Sequence, residues 1–154
     1  MPAKTTDTDM GMKKILDEME SLGQKRVKVG IQNDAGAHDE SQGLTVAAIA
    51  YINEYGTRDG RIPPRPAHAN AFDDNRTSLN SLVNRLIRGV SEGKLTAQKA
   101  AAILGQTHED NVKQSITNLR TPANAPRTIA QKGSSNPLID TGQTRNSVRY
   151  VVEG

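Results

Sequence analysis

Only two stretches of this chain carry the alternation of a β-strand, and they lie far apart in sequence. Val27, Val29 and Ile31 alternate with charged or small residues over 25–31. Val148, Tyr150 and Val152 alternate with Arg149 and Val151. Two strands do not make an independently stable sheet. The chain therefore has to hold further strands in its loops or continue the sheet across subunits. What lies between reads as helix and loop, so the expected class is α+β, one domain over residues 9–154 with a small, mostly antiparallel sheet packed against two long helices and shorter ones.

The helical stretches have clear punctuation. Met12, Ile15, Leu16, Met19 and Leu22 are spaced three and four apart, with Asp9 as N-cap and Gly23 as stop. Leu44 to Tyr55 is apolar nearly all round and reads as a short helix buried on most sides, closed by Gly56. Residues 57–66 end in Ile62-Pro63-Pro64-Arg65-Pro66 and read as a stiff, extended connector, because proline fixes its own φ and restricts its predecessor. A long helix follows over 67–90 with Phe72, Leu79, Leu82, Val83, Leu86, Ile87 and Val90 on one stripe. Thr96 caps another that runs to about Leu119, its face Ala97, Ala100, Ala101, Leu104, His108, Val112, Ile116 and Leu119. Residues 1–8 read as a disordered or arm-like start. Residues 33–43 and 120–137 read as long loops, uncommon inside a compact domain unless a neighbour orders them. At 140–142, Asp140 and Thr141 are candidate helix caps and Gly142 tolerates unusual φ, which sets a turn before the last strand.

Composition sharpens the assembly question. Only 34% of residues are hydrophobic, with one Phe, three Tyr and no Trp. Large aromatics carry much of the burial energy of ordinary cores, so a thin core points to burial completed between subunits. The absence of cysteine excludes disulfides, thiolate metal sites and cysteine nucleophiles. No apolar run has the roughly 18–20 residues needed to span a bilayer, and the polar stretch Met1 to Met10 does not read as a secretory signal. Overall net charge is +3, but it is segregated. Residues 1–23 are net −2. Residues 113–149 are net +5, with Lys113, Arg120, Arg127, Lys132, Arg145 and Arg149 against Asp140 alone. Such segregation suits an acidic partner or nucleic acid.

A catalytic constellation is missing from the sequence. His38-Asp39-Glu40 has metal-donor atoms, but adjacent loop residues without a second cluster read as a polar loop. His108 falls on an apolar stripe and reads as a partly buried core histidine. Asp73-Asp74 reads as acids complementing a helix dipole. Ser134-Ser135 has no nucleophile-elbow glycines around it, and no phosphate-binding glycine pattern occurs. The expectation is a protein without catalysis and without a cofactor. The basic segment also supports a second reading, a small DNA-binding or packaging accessory protein, although stacking aromatics and named DNA-binding motifs are absent.

Two motifs carry a resemblance. The first is Asn53-Glu54-Tyr55-Gly56-Thr57 followed by Ile62-Pro63-Pro64-Arg65-Pro66. The second is Asn136-Pro137-Leu138-Ile139-Asp140-Thr141-Gly142-Gln143-Thr144-Arg145-Asn146-Ser147-Val148. With two long helices between them, this order resembles the small neck and tail-completion proteins of long-tailed double-stranded DNA bacteriophages. Two positions depart from the family pattern: Ala67-His68 stands where Phe is frequent, and Thr144 where Leu is usual. The resemblance implies a virion structural protein that forms a ring, commonly of six copies, at the neck or head-proximal end of the tail. Its implied partners are other copies of itself, the portal or head connector, tail-tube or tail-terminator proteins and, non-specifically, the DNA in the channel, with no membrane. The implied location is the virion neck, after assembly in the host cytoplasm. In that setting Pro63, Pro64 and Pro66 are expected to form a rigid arm, the long loops to serve ring assembly, and Asp140, Thr141 and Gly142 to deliver the last strand. Arg145 is expected to meet a carboxylate in its own chain or a neighbour's. Asn53, Glu54, Tyr55, Gly56, Thr57, Arg65 and Ser147 complete the assembly motif, and Arg120, Arg127 and Lys132 are the candidates to face DNA.

Overall fold

The computed structural model describes residues 9–38 and 43–154; the expected N-terminal arm, 1–8, lies outside them. Its element order is α1 (Met12–Gln24), β1 (Arg26–Ile31), a 3-10 turn (Asn33–Ala35), α2 (Val46–Tyr55), α3 (Ala67–Ser91), α4 (Ala97–Asn118), α5 (Pro126–Lys132), α6 (Gln143–Asn146) and β2 (Val148–Glu153). The fold is α+β: six helices and one two-stranded antiparallel sheet among the described residues.

The two alternating segments are each other's partner. The register runs from Arg26 opposite Glu153 to Ile31 opposite Val148. Val27, Val29 and Ile31 are half-buried while Arg26 and Lys28 point to solvent, as the period of two requires. Beyond this ladder, an isolated bridge between Ala37 and Thr45 is the only other strand-like pairing among the described residues. Among the described residues, the loops therefore contribute no further strand to the sheet.

Helices α3 and α4 form an antiparallel hairpin, and α4 lies across both strands. The close approach of α4 to β2 depends on Gly105. A Cβ there would sit 2.4 Å from Tyr150 Cδ2, so the ring occupies the space a side chain would take. At one end of the hairpin, Leu86, Val90 and Ala100 are buried with Met19, Leu22, Leu82, Leu95 and Leu104 around them. At the other end, Ala67, Ala71, Val112, Ile116, Leu119 and Val148 are buried, with Val29, Ile31, Leu138 and Ile139 against them. Burying one such aliphatic side chain is worth about 1.5–3 kcal/mol.

Several sequence expectations change. Thr45 and Thr96 cap α2 and α4 through Ala48 N–H (3.1 Å) and Lys99 N–H (3.2 Å). Asp9 accepts from Gly11 and Lys13 N–H, but α1 begins only at Met12 and runs one residue past Gly23. Helix α2 is not buried on most sides. Val46 alone is fully buried, and Tyr51 and Tyr55 are 66% and 67% exposed, their ring centroids 4.7 Å apart and their planes tilted by 49°. Its apolar surface is too wide for the single face that the chain covers. Phe72 and Ile87 are likewise exposed rather than in the core. Residues 120–137 are not a bare loop, since Pro126 at the first turn starts α5 and Gly133, at φ 68°, ends it. Residues 57–66 do not run straight. Thr57 turns the chain back, accepting Ile62 N–H at its hydroxyl (3.0 Å) and donating its own N–H to Ile62 O (2.9 Å).

Candidate functional site

The two motifs, far apart in sequence, close around one cavity. It has a volume of about 540 Å³ and is lined from the first motif by Asn53, Pro63 and Arg65, and from the second by Asp140, Thr141 and Gly142. Lys132 of α5 lies on its wall, together with His38 and Arg61. Glu54, Tyr55, Gly56, Thr57, Pro64, Pro66, Arg145 and Ser147 do not line it, nor do Arg120 and Arg127.

Each side of the cavity is built by local polar chemistry. Glu54, in the last turn of α2, accepts the backbone N–H groups of His68 (3.0 Å) and Ala69 (3.0 Å) at the start of α3, and meets the His68 ring Nδ1 at 3.2 Å. It satisfies orphan donors of a helix terminus and places a negative charge on the positive end of the dipole. Asp73-Asp74 do not serve that role, because α3 begins at Ala67 and they lie beyond its first turn; Asp73 pairs with Arg76 at 2.7 Å instead. Burial would raise the Glu54 carboxyl. Hydrogen bonds from the His68 ring and from the Ala69 and His68 N–H groups, with the charge of His68, outweigh it and hold the group below the ordinary glutamate value. Gly56 adopts φ 74° and the chain passes close above it, so a Cβ there would lie 2.7 Å from Ile62 O. Only glycine meets both conditions. Asn53 O then accepts Arg65 N–H at 2.7 Å, bringing the proline segment down on its own α2.

Arg65 is the centre of this arrangement and only 6% exposed. Its Nε donates to Pro122 O (2.9 Å) and its Nη2 to Ala123 O (3.1 Å) and Asn124 Oδ1 (3.2 Å). Burial pulls its pKa below the ordinary arginine value. Behind the other wall, next to the lining residue Pro137, Asn136 is a hub. Its Oδ1 accepts from Leu138 and Ile139 N–H (3.0 and 3.2 Å), its Nδ2 donates to Thr117 O (3.0 Å), and its carbonyl accepts Asn124 Nδ2 and Lys132 Nζ (both 3.3 Å). Gly142 opens α6 at φ 82° without a side-chain cap. Thr141 Oγ1 accepts Gln143 N–H at 3.3 Å, whereas Asp140 makes no cap there. Ser147 closes α6, its N–H on Gln143 O at 2.9 Å.

The basic segment is largely engaged within the chain. Lys113 pairs with Glu109 at 2.6 Å, Arg149 pairs with Asp34, and Arg120 donates to the carbonyls of Thr117 and Leu119 at the end of α4. Arg127 on α5 is exposed and forms no ion pair among the described residues. Arg145 meets no carboxylate among the described residues; its Nε is buried without a partner and its Nη1 reaches Asn146 Oδ1 at 3.4 Å.

Two important groups escaped sequence reasoning. Glu109 is 8% exposed and bonds both Lys113 Nζ and Tyr150 N–H (2.8 Å), which ties α4 to the last strand. Its i,i+4 spacing to Lys113 was the available signal. Asn124 sits in a stretch with no distinguishing pattern. His108 is half-buried as expected, edge-on to Phe72 at 6.0 Å, and burial, with the charge of His68, lowers its pKa. Of His38-Asp39-Glu40, only His38 belongs to the described residues, among which no group of three metal-donor side chains occurs. None of the helices is long and apolar enough to cross a membrane among the described residues. A scan of protein-family models and searches of curated proteins and of solved structures find no match to this chain.

Proposed function

We propose that this protein is a virion structural subunit of a long-tailed phage, forming a ring at the neck or head-proximal end of the tail and joining it to the capsid connector without catalysis. One observation carries the reading: the two motifs on which the resemblance rests converge on a single cavity and brace it with Glu54, Arg65 and Asn136. The exposed apolar surface adds support, with Met12 and Leu16 on α1 and Tyr51 and Tyr55 on α2 left uncovered.

Native mass spectrometry and negative-stain electron microscopy of the purified chain, alone and with connector and tail-tube proteins, test this. The expected result is a closed ring of a single copy number, most simply six. A chain that stays monomeric in every mixture and is absent from purified virions overturns it.

A further inference from the structure

We propose that the cavity between the two motifs binds a small phosphate monoester, received by Arg65 and Lys132. This is a ligand site within one subunit, separate from the contacts that join copies, and it stands whether or not the chain forms a ring.

Arg65 is a buried cation whose three hydrogen bonds, from Nε and Nη2, all end on neutral oxygens. Among the described residues, no carboxylate lies within ion-pair distance of it. A guanidinium has five N–H donors, and the two on Nη1 have no acceptor among the described residues. The buried side-chain atoms without a partner there are His108 Nδ1 and Arg145 Nε, so Nη1 itself keeps access to the cavity that Arg65 lines. Lys132, half-buried on α5, lines the same cavity, and its one hydrogen bond is the 3.3 Å contact to Asn136 O. Besides His38, the other lining groups that carry charge are exposed: Arg61, paired with Asp59 at 3.1 Å, and Asp140. Water and salt screen charges placed there. The enclosed part of the cavity thus holds two cations, Arg65 and Lys132, and no described carboxylate. Covered charge without a counter-charge is costly, and a bound anion removes that cost.

Charge and donors select the kind of anion. A phosphate monoester carries roughly −1.5 to −2 charge near neutral pH and three strong acceptor oxygens, which matches two cations that both have N–H groups to spare. A carboxylate brings one charge and two oxygens. Asn53, Thr128 and Thr144 add further donors to the lining. The volume of about 540 Å³ exceeds what phosphate alone fills and lies within the usual size of small-molecule sites. Ile49, Ile62, Pro63 and Leu138 give the remainder apolar walls, which suit an apolar body attached to the phosphate. A backbone phosphate of a duplex carries a single charge and is held in its helix, so it matches neither the charge of the cavity nor the cover over Arg65.

Isothermal titration calorimetry on the full chain tests this, with inorganic phosphate, phenyl phosphate and benzoate as probes. Phenyl phosphate is expected to bind one to one with a Kd below about 1 mM. Inorganic phosphate, which lacks the apolar body, and benzoate, which lacks the second charge, are expected to bind more weakly. In NMR spectra of the wild-type chain, phenyl phosphate is expected to shift the Arg65 Nε–H and the Asn53 side-chain amide signals. Lys132→Gln, which keeps a donor for Asn136 O, is expected to weaken binding about tenfold. Arg127→Gln, at an exposed arginine of the same helix, is expected to change it by less than about twofold. Circular dichroism establishes that both variants are folded; should Lys132→Gln not fold, the NMR signals decide, and their failure to shift overturns the site. Absence of saturable binding by every probe, or equal losses in the two variants, overturns it as well. Benzoate that binds as tightly as phenyl phosphate overturns the choice of a phosphate. A DNA duplex that displaces phenyl phosphate, and whose own binding is lost in Lys132→Gln, overturns the small-molecule site in favour of a nucleic-acid contact.

Discussion

The two ends of the α3–α4 hairpin are stabilised by different chemistry. Where α3 ends, Met19, Leu22, Leu82, Leu86, Val90 and Leu95 meet as aliphatic groups that differ little in kind. Where α3 begins, the core of Ala67, Ala71, Val112, Ile116, Leu119 and Val148 is enclosed by polar braces: Glu54 on the first turn of α3, Arg65 on residues 122–124, Asn136 on Thr117. The first end specifies itself by period and volume. The second does so by individual donors and acceptors, each with one suitable partner. Cores of the first kind tolerate swaps of similar volume. Braces of the second kind do not, because a buried donor left unpaired bears its full desolvation cost.

The largest effect is expected at the aliphatic end. Leu86→Ala should destabilise by about 3 kcal/mol in urea unfolding, whereas Leu86→Met should cost less than about 1.5 kcal/mol. Glu109→Ala should cost on the order of 2–3 kcal/mol by the same measurement, since it orphans Tyr150 N–H and unpairs the half-buried Lys113. Arg65→Lys should cost about 2 kcal/mol, because an ammonium cannot span the fork from Pro122 O to Asn124 Oδ1. This variant decides the comparison: should it cost no more than Leu86→Met, the two ends do not differ in kind. Gly56→Ala should cost about 1–3 kcal/mol through the left-handed φ and the approach of Ile62 O.

The smallest effect concerns acid. The Glu54 carboxyl is held below its ordinary value in the folded state, so the unfolded chain takes up its proton first as pH falls. The stabilisation is whole above the ordinary glutamate value and is lost as pH drops through the folded one. Glu54→Gln should flatten that part of the acid limb in a pH series of thermal midpoints. An unchanged limb would mean that the brace contributes nothing through its charge.

The same division explains what could be read from the sequence. Elements with a period were legible: both strands, the α3–α4 hairpin and the cap Thr96 follow from spacing and side-chain type, whereas the Thr45 cap of α2 was not read. The aliphatic end was largely legible too, although Ile87 lies on the solvent side of its stripe, as Phe72 does at the other end of α3. The polar end was legible only as motifs, with residues named but their tasks unread. Nothing in the spacing of Asn53, Arg65, Asn124 and Asn136 says that they meet, because a hydrogen bond needs two partners and the sequence displays them one at a time. Helix α5 was missed because its proline reads as a breaker when it stands at a helix start.

The sheet pairs Arg26 with Glu153, so its strands meet only after almost the whole intervening chain has been ordered. Pairings this distant are kinetically slow, whereas a helical hairpin forms from local contacts. The hairpin then offers the late strand a landing point, with the Glu109 carboxylate set for Tyr150 N–H and the gap at Gly105 open for its ring. A bond made this late belongs to the finished fold and not to its nucleus, so loss of Glu109 should speed unfolding more than it slows refolding.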